Sequence, residues 1–164
     1  MRYIVSDDHA GLAAAREARF AGAPRQRCQF HLAQNALHYV PTLAMRSEVA
    51  RDLRGVLDAG DRAEADRRLV QLVTKYAPAA PKLAVWREAN VPESLTVPSL
   101  PAAHRRKLRT TNSLERINKE IKRRTRVATL FPNEPSALRL VTAVLMEISE
   151  DWETNRTYLS METN

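Results

Sequence analysis

Apolar positions along this chain fall into two unequal regimes. Tyr3, Ile4 and Val5 form a short β-branched run that stops at Ser6, Asp7 and Asp8, the pattern of a buried strand ending in carboxylates. Leu12 to Ala21 is alanine-rich and predicts a helix closed by Gly22 and Pro24. Arg25 to Phe30 reads as a second, edge-like strand, and Leu32 to Val40 as a helix stopped by Pro41. Beyond Leu43 the spacing becomes helical throughout. Leu43, Val49, Leu53, Val56 and Leu57 make one face, and Gly60 and Asp61 turn the chain. Leu69, Leu72, Val73 and Tyr76 make the next, ending at Pro78, and a third helix from Pro81 to Asn90 is expected to bury Leu83 and Trp86. Pro92, Pro98 and Pro101 mark an irregular crossing. A basic helix follows, then a long one from Glu134 to Trp152 carrying Leu138, Val141, Leu145, Ile148 and Trp152, with Asn133 as cap and Pro135 in its first turn. Two strands and at least five helices leave Tyr3 to Val5 without an obvious sheet. Either an α/β domain has its earlier strands upstream, or a mostly helical domain carries a minor ribbon.

Charge sharpens this picture. Between Arg105 and Arg126 ten Lys or Arg face two acids, Glu115 and Glu120, while the rest of the 164 residues hold sixteen basic and seventeen acidic side chains. The formal charge of +7 is therefore one patch, which points to a polyanionic partner. An aromatic content of 5% argues against a reader that stacks single-stranded bases. A single cysteine, Cys28, excludes an internal disulfide and fits a reducing compartment. No run approaches the ~20 apolar residues of a membrane span, and the first residues turn polar too soon for a signal peptide.

Three groups of residues carry candidate chemistry. On a helical wheel Leu114, Ile117, Ile121, Thr125 and Ala128 share an inward side, while Glu115, Asn118, Lys119, Lys122 and Arg126 share another face. Glu115 then has two uses: closing a capping-box-like start with Asn112, or binding a metal within a frame of phosphate-binding cations. Asp7 and Asp8 pose the same choice between capping the next helix and presenting a carboxylate at a strand end. Cys28-x-x-His31 has half the spacing of a zinc site, but a structural site wants four ligands, and His9, His38 and His104 stand unpaired in sequence. No zinc is expected there; the pair reads as a buried Cys and a hydrogen-bonded His at the edge of a site. Arg25 and Arg27 flank it and are candidates for phosphate contact or for a solvated edge.

Beyond these patterns, the segments Val5 to Leu12, Gln26 to His31 and Arg109 to Val127, continued by Leu130 to Glu134 and Ile148 to Glu153, closely resemble the bacterial IS256 and eukaryotic Mutator family of DDE transposases. The resemblance runs in order over essentially the whole chain. It implies a ribonuclease-H-like α/β fold of which this chain carries a predominantly α-helical part, with one or two short strands near its N-terminus. The implied organisation is a partial ribonuclease-H-like core over 1–42, an all-helical insertion over 43–101, the C-terminal part of the core over 102–158 and a tail over 159–164.

In that family scheme Asp7 matches the second catalytic aspartate and Glu115 the catalytic glutamate, with the first aspartate expected upstream of Tyr3. The implied chemistry uses two Mg²⁺ or Mn²⁺ ions, held by three carboxylates, to cut and join DNA phosphodiester bonds. Arg109, Arg116, Lys119, Lys122, Arg123, Arg124 and Arg126, together with Arg25 and Arg27, would hold double-stranded DNA of terminal inverted repeats and target, and Cys28, His31 and Asn112 would support the site. The resemblance further implies a homo-oligomer in the full-length protein and a bacterial cytoplasmic location, at the nucleoid when on DNA. The expectation is a truncated transposase, inactive by itself. The competing expectations are a non-catalytic DNA-binding module that competes with intact transposase, and a basic helical RNA-binding protein, which explains neither Asp7 nor the start at Thr110.

Overall fold

A computed structural model describes residues 3–128 and 130–155; the expected tail over 159–164 lies outside them. The described chain is predominantly helical with a short parallel sheet near its start, as the sequence predicts. Strand β1 (Ile4–Ser6) pairs in parallel with β2 (Arg25–Arg27), in the register Ile4 to Arg25, Val5 to Gln26 and Ser6 to Arg27. Helix α1 (Ala10–Phe20) makes the crossover that a parallel pair requires. Its cap is His9, whose Nδ1 accepts the Gly11 N–H at 3.1 Å, so neither Asp7 nor Asp8 is spent on capping. The second strand is shorter than the sequence suggests. After Arg27 the chain turns at Cys28 into α2 (Gln29–Ala36), followed by a 3-10 turn over Leu37–Tyr39.

Helices α3 (Leu43–Leu57), α4 (Arg62–Tyr76) and α5 (Pro81–Asn90) follow at the predicted boundaries. Asp61 caps α4 by accepting the Glu64 N–H at 2.8 Å. Val49, Leu53, Val56, Leu69, Leu72 and Leu83 are buried in one cluster, and Leu32 and Ala36 of α2 belong to that same cluster. Burying such side chains is worth roughly 1.5–3 kcal/mol each. Leu43, at the first position of α3, is exposed instead, and Met45 in the same turn packs against the cluster. The periodicity did not reveal Arg87, which is fully buried on α5. Its guanidinium lies 5.1 Å from the Tyr76 ring centre, donates to the Val49 carbonyl at 3.2 Å, and is pushed down to about 10 by burial.

The irregular crossing resolves into two 3-10 turns, Val91–Ser94 and Val97–Ser99, then α6 (Ala102–Leu108). This segment is tied back to the sheet by one buried side chain. The Gln26 amide donates to the Ser94 carbonyl at 2.7 Å and to the Arg27 carbonyl at 2.8 Å, while its oxygen accepts the N–H groups of Thr96 at 3.0 Å and Val97 at 2.9 Å. One compact unit runs Met1–Thr110 and a second Thr111–Asn164. Helices α2 through α5 share a core, and α6 belongs to the first unit.

In the second unit α7 (Asn112–Val127) packs along α8 (Glu134–Asn155). Asn133 caps α8 as expected, its Oδ1 accepting the Ser136 N–H at 2.9 Å. Ile117, Ile121, Thr125 and Ala128 of α7 and Val141, Ile148 and Trp152 of α8 are half-buried as predicted, and the departures are single positions. Leu114 is exposed while Ile117 and Ile121 are half-buried, and on α8 Val144 is buried while Leu138 and Leu145 face solvent. None of the described helices is long and apolar enough to cross a membrane. Replacing Gln26 by leucine strands the N–H groups of Thr96 and Val97 in a dry interior, at about 1–3 kcal/mol each. The expected outcome is a loss of about 3 kcal/mol or more in unfolding free energy, read from urea denaturation at unchanged m-value.

Candidate functional site

In the first unit the strand register assembles a small constellation. The Cys28 N–H donates to the Ser6 carbonyl at 2.9 Å, which extends the parallel ladder by one residue and sets Cys28 beside Asp7. Helix α2 begins immediately after, the Leu32 N–H donating to the Cys28 carbonyl at 3.0 Å, so His31 stands about one turn above Cys28 on the same side. The result is that Asp7 Oδ1 lies 2.5 Å from His31 Nδ1. One donor atom each from Asp7, Cys28 and His31 lies within 4.8 Å of the others. Cys28 is fully buried, whereas the side chains of Asp7 and His31 keep 43% and 29% of their exposure, so the group opens to solvent on one side. The spacing of Cys28 and His31 was visible in the sequence. Their carboxylate neighbour was not, since it is brought in by strand register.

The two arginines beside this constellation are engaged internally. Arg27 is buried, pairs with Asp8 at 2.8 Å, donates to Asn90 Oδ1 at 2.7 Å and lies 5.9 Å from the Trp86 ring centre. Arg25 donates to Ser6 Oγ at 3.1 Å, to the Asp7 carbonyl at 3.0 Å and to Glu93 at 3.3 Å. Arg109 donates to Gln29 Oε1 at 2.7 Å, to the Leu57 carbonyl at 3.2 Å and to Asp58. These three guanidiniums brace elements of the first unit.

In the second unit Thr111, not Asn112, occupies the N-cap of α7. The Glu115 N–H donates to the Thr111 carbonyl at 3.0 Å, and Thr111 Oγ1 donates to Glu115 Oε1 at 2.8 Å. Glu115 is exposed in the first helical turn, where the helix dipole favours its negative charge. It lines a groove of about 1050 Å³ together with Arg116, Lys119, Lys122, Arg123 and Arg126; Asp151 and Trp152 of α8 form part of the opposite wall. These five cations are all exposed. Arg123 donates to both oxygens of Glu120, at 2.8 and 2.6 Å; Arg124 donates to Glu120 at 2.8 Å and also reaches Glu147 of α8 at 3.1 Å. Hydrogen bonds from Arg123 and then Arg124 pull the Glu120 carboxyl down to about 2. Asp7 and Glu115 belong to different compact units.

Residues 1–155 match the family described as Transposase, Mutator family. The chain is 53% identical over 157 residues to the transposase for insertion sequence element IS406 of Burkholderia multivorans, covering 96% of this chain and 40% of that protein. It is 40% identical to the transposase for insertion sequence element ISRM5 of Rhizobium meliloti, over 97% of this chain and 40% of the relative. With the transposase for insertion sequence element IS256 in transposon Tn4001 of Staphylococcus aureus, identity is 30%, covering 97% and 41%. The chain thus spans about 40% of the length of these curated relatives.

The Glu120 shift gives the second unit an acid dependence of definite sign. A folded-state value depressed to about 2 from an ordinary 4.5 adds stability that is complete above 4.5 and is lost as pH falls through about 2. Helicity of α7 followed by circular dichroism is expected to fall across that window, and Glu120→Gln is expected to flatten the fall.

Proposed function

Because the chain belongs to the Mutator family of transposases, we propose that it supplies part of a DNA cutting-and-joining centre: Asp7 and Glu115 as metal-binding carboxylates, α7 as the DNA cradle. The observation that carries the proposal is the α7 groove, where Glu115, exposed at the start of the helix, stands with five exposed cations, Glu120, Glu147 and Asp151 completing the charged lining. Such a juxtaposition suits a substrate whose phosphates are held by cations while an oxygen ligand faces the reacting group. The donors fit the hard cations Mg²⁺ and Mn²⁺, since both are carboxylates open to solvent, and neither is consumed as a helix cap. Asp7 and Glu115 would each offer carboxylate oxygens to a divalent cation, which would supply charge stabilisation for the oxygens of an in-line displacement at phosphorus.

The chain's own residues have distinct tasks in this scheme. Thr111 orients Glu115 through its hydroxyl, fixing one carboxylate oxygen before substrate arrives. Arg116, Lys119, Lys122, Arg123 and Arg126 hold the backbone of duplex DNA, giving affinity and orientation without reading sequence. Arg124 acts as a strut to α8 through Glu147, and Arg25, Arg27 and Arg109 as braces of the first unit. His31 holds the Asp7 carboxylate through Nδ1, 2.5 Å from Oδ1. A second reading, a non-catalytic DNA-binding module, is favoured by one fact: the whole cationic face lies within the second unit and does not require Asp7.

Glu115→Gln separates the two. With this segment in the full-length context of its relatives, the substitution is expected to abolish Mg²⁺-dependent strand transfer while leaving DNA affinity within a few fold. Unchanged transfer would remove Glu115 from the metal site and leave the binding module. Replacing Lys119, Lys122 and Arg123 together by alanine is expected to make the slope of log affinity against log salt shallower by about 2–3, at ~0.9 for each phosphate no longer neutralised. An unchanged slope would show that the α7 face does not hold phosphates.

A further inference from the structure

We propose that Asp7, Cys28 and His31 form a binding site for a thiophilic divalent cation of the zinc class, distinct in its donor set from the carboxylate centre above. Three features support it. The donors are a carboxylate oxygen, a cysteine sulfur and a ring nitrogen within 4.8 Å of one another. Sulfur and nitrogen donors favour zinc over Mg²⁺, which takes oxygen. The backbone holds the donors in place, with Cys28 hydrogen-bonded to the end of β1 and His31 in the first turn of α2.

Tetrahedral zinc with bonds of about 2.0–2.3 Å sets its ligands roughly 3.3–3.8 Å apart. Asp7 and His31, now in contact at 2.5 Å, therefore open slightly, and the set closes around the ion by about an ångström. Both are partly exposed and able to make that move, whereas Cys28 is fixed and buried. On binding, the Cys28 thiol releases its proton to the buffer, the imidazole binds as the neutral ring, and a water completes the fourth position from the open side. The site does not depend on the transposase reading. One consequence does rest on it: an ion held here occupies the Asp7 carboxylate, so zinc and Mg²⁺ compete for that ligand.

The test titrates the full 164-residue chain with Co²⁺ and then Zn²⁺. The expected result is a near-ultraviolet thiolate-to-cobalt charge-transfer band that stoichiometric zinc removes. Cys28→Ser is expected to eliminate the band and weaken zinc binding by more than about 100-fold, beyond the 10–100-fold that loss of an outer-shell partner costs. Because Cys28 is buried, a second variant guards against misfolding: His31→Asn, at a half-exposed position, keeps the band but requires at least about tenfold more cobalt to reach it. Cobalt binding without the band, or equal affinity in both variants, would overturn the site and assign the ion to surface histidines. Glu115→Gln, which probes the transposase reading, has no bearing on this spectrum, so the two proposals fail separately.

Discussion

The first unit depends on the burial of one primary amide. Two parallel strands of three residues each make too small a sheet to hold itself together, and parallel pairs survive only when covered. Gln26 supplies what the ladder cannot, using donor and acceptor ends together to bind the turn segment that follows α5. A leucine of similar volume would fill the space but leave the backbone groups of Thr96 and Val97 without acceptors. This amide, with the Arg27 bond to Asn90 and the Thr96 bond to the Arg25 carbonyl, joins the helical stretch from α3 to α5 to β2, and β2 sets the position of Cys28 beside Asp7. The candidate metal donors are thus fixed by residues that do not touch them.

Arginine has two separate uses in this chain. Arg25, Arg27, Arg87 and Arg109 are turned inward, where each meets carbonyls, carboxylates or an aromatic face. The planar guanidinium suits this bracing, since its several donors reach different elements at once. On α7 the cations instead stand at the surface of a groove, with Glu115 at its start. Net charge does not distinguish the two uses; partners and burial do.

Much of this was legible from residue spacing, and the exceptions share a cause. The helices α3, α4, α5 and α8, and the Asn133 cap, follow from local periodicity and local hydrogen bonding, which sequence displays directly. The charge on α7 and the place of Glu115 at its start were equally visible. What remained hidden is set by long-range pairing. The neighbour of Cys28 and His31 depends on strand register, and the interior positions of Gln26, Arg27 and Arg87 depend on partners many residues away. The exposure of Leu114, Leu138 and Leu145 and the burial of Val144 have the same origin, because a helix wheel gives the apolar side but not the angle at which a neighbour meets it.

The way the Asp7 constellation is built also governs how this region can drift over generations. The ladder and the Arg25 bonds to Ser6 and Asp7 join β1 to β2 without help from α1, which buries none of its residues, so the crossover is free to gain or lose length while Asp7 still arrives beside Cys28. The interval from Cys28 to His31 has no such freedom. One inserted residue there would swing the imidazole by about 100° around α2 and out of reach of the carboxylate. Length variation among descendants should therefore collect before Arg25 and stop at Cys28, a boundary drawn by helix geometry.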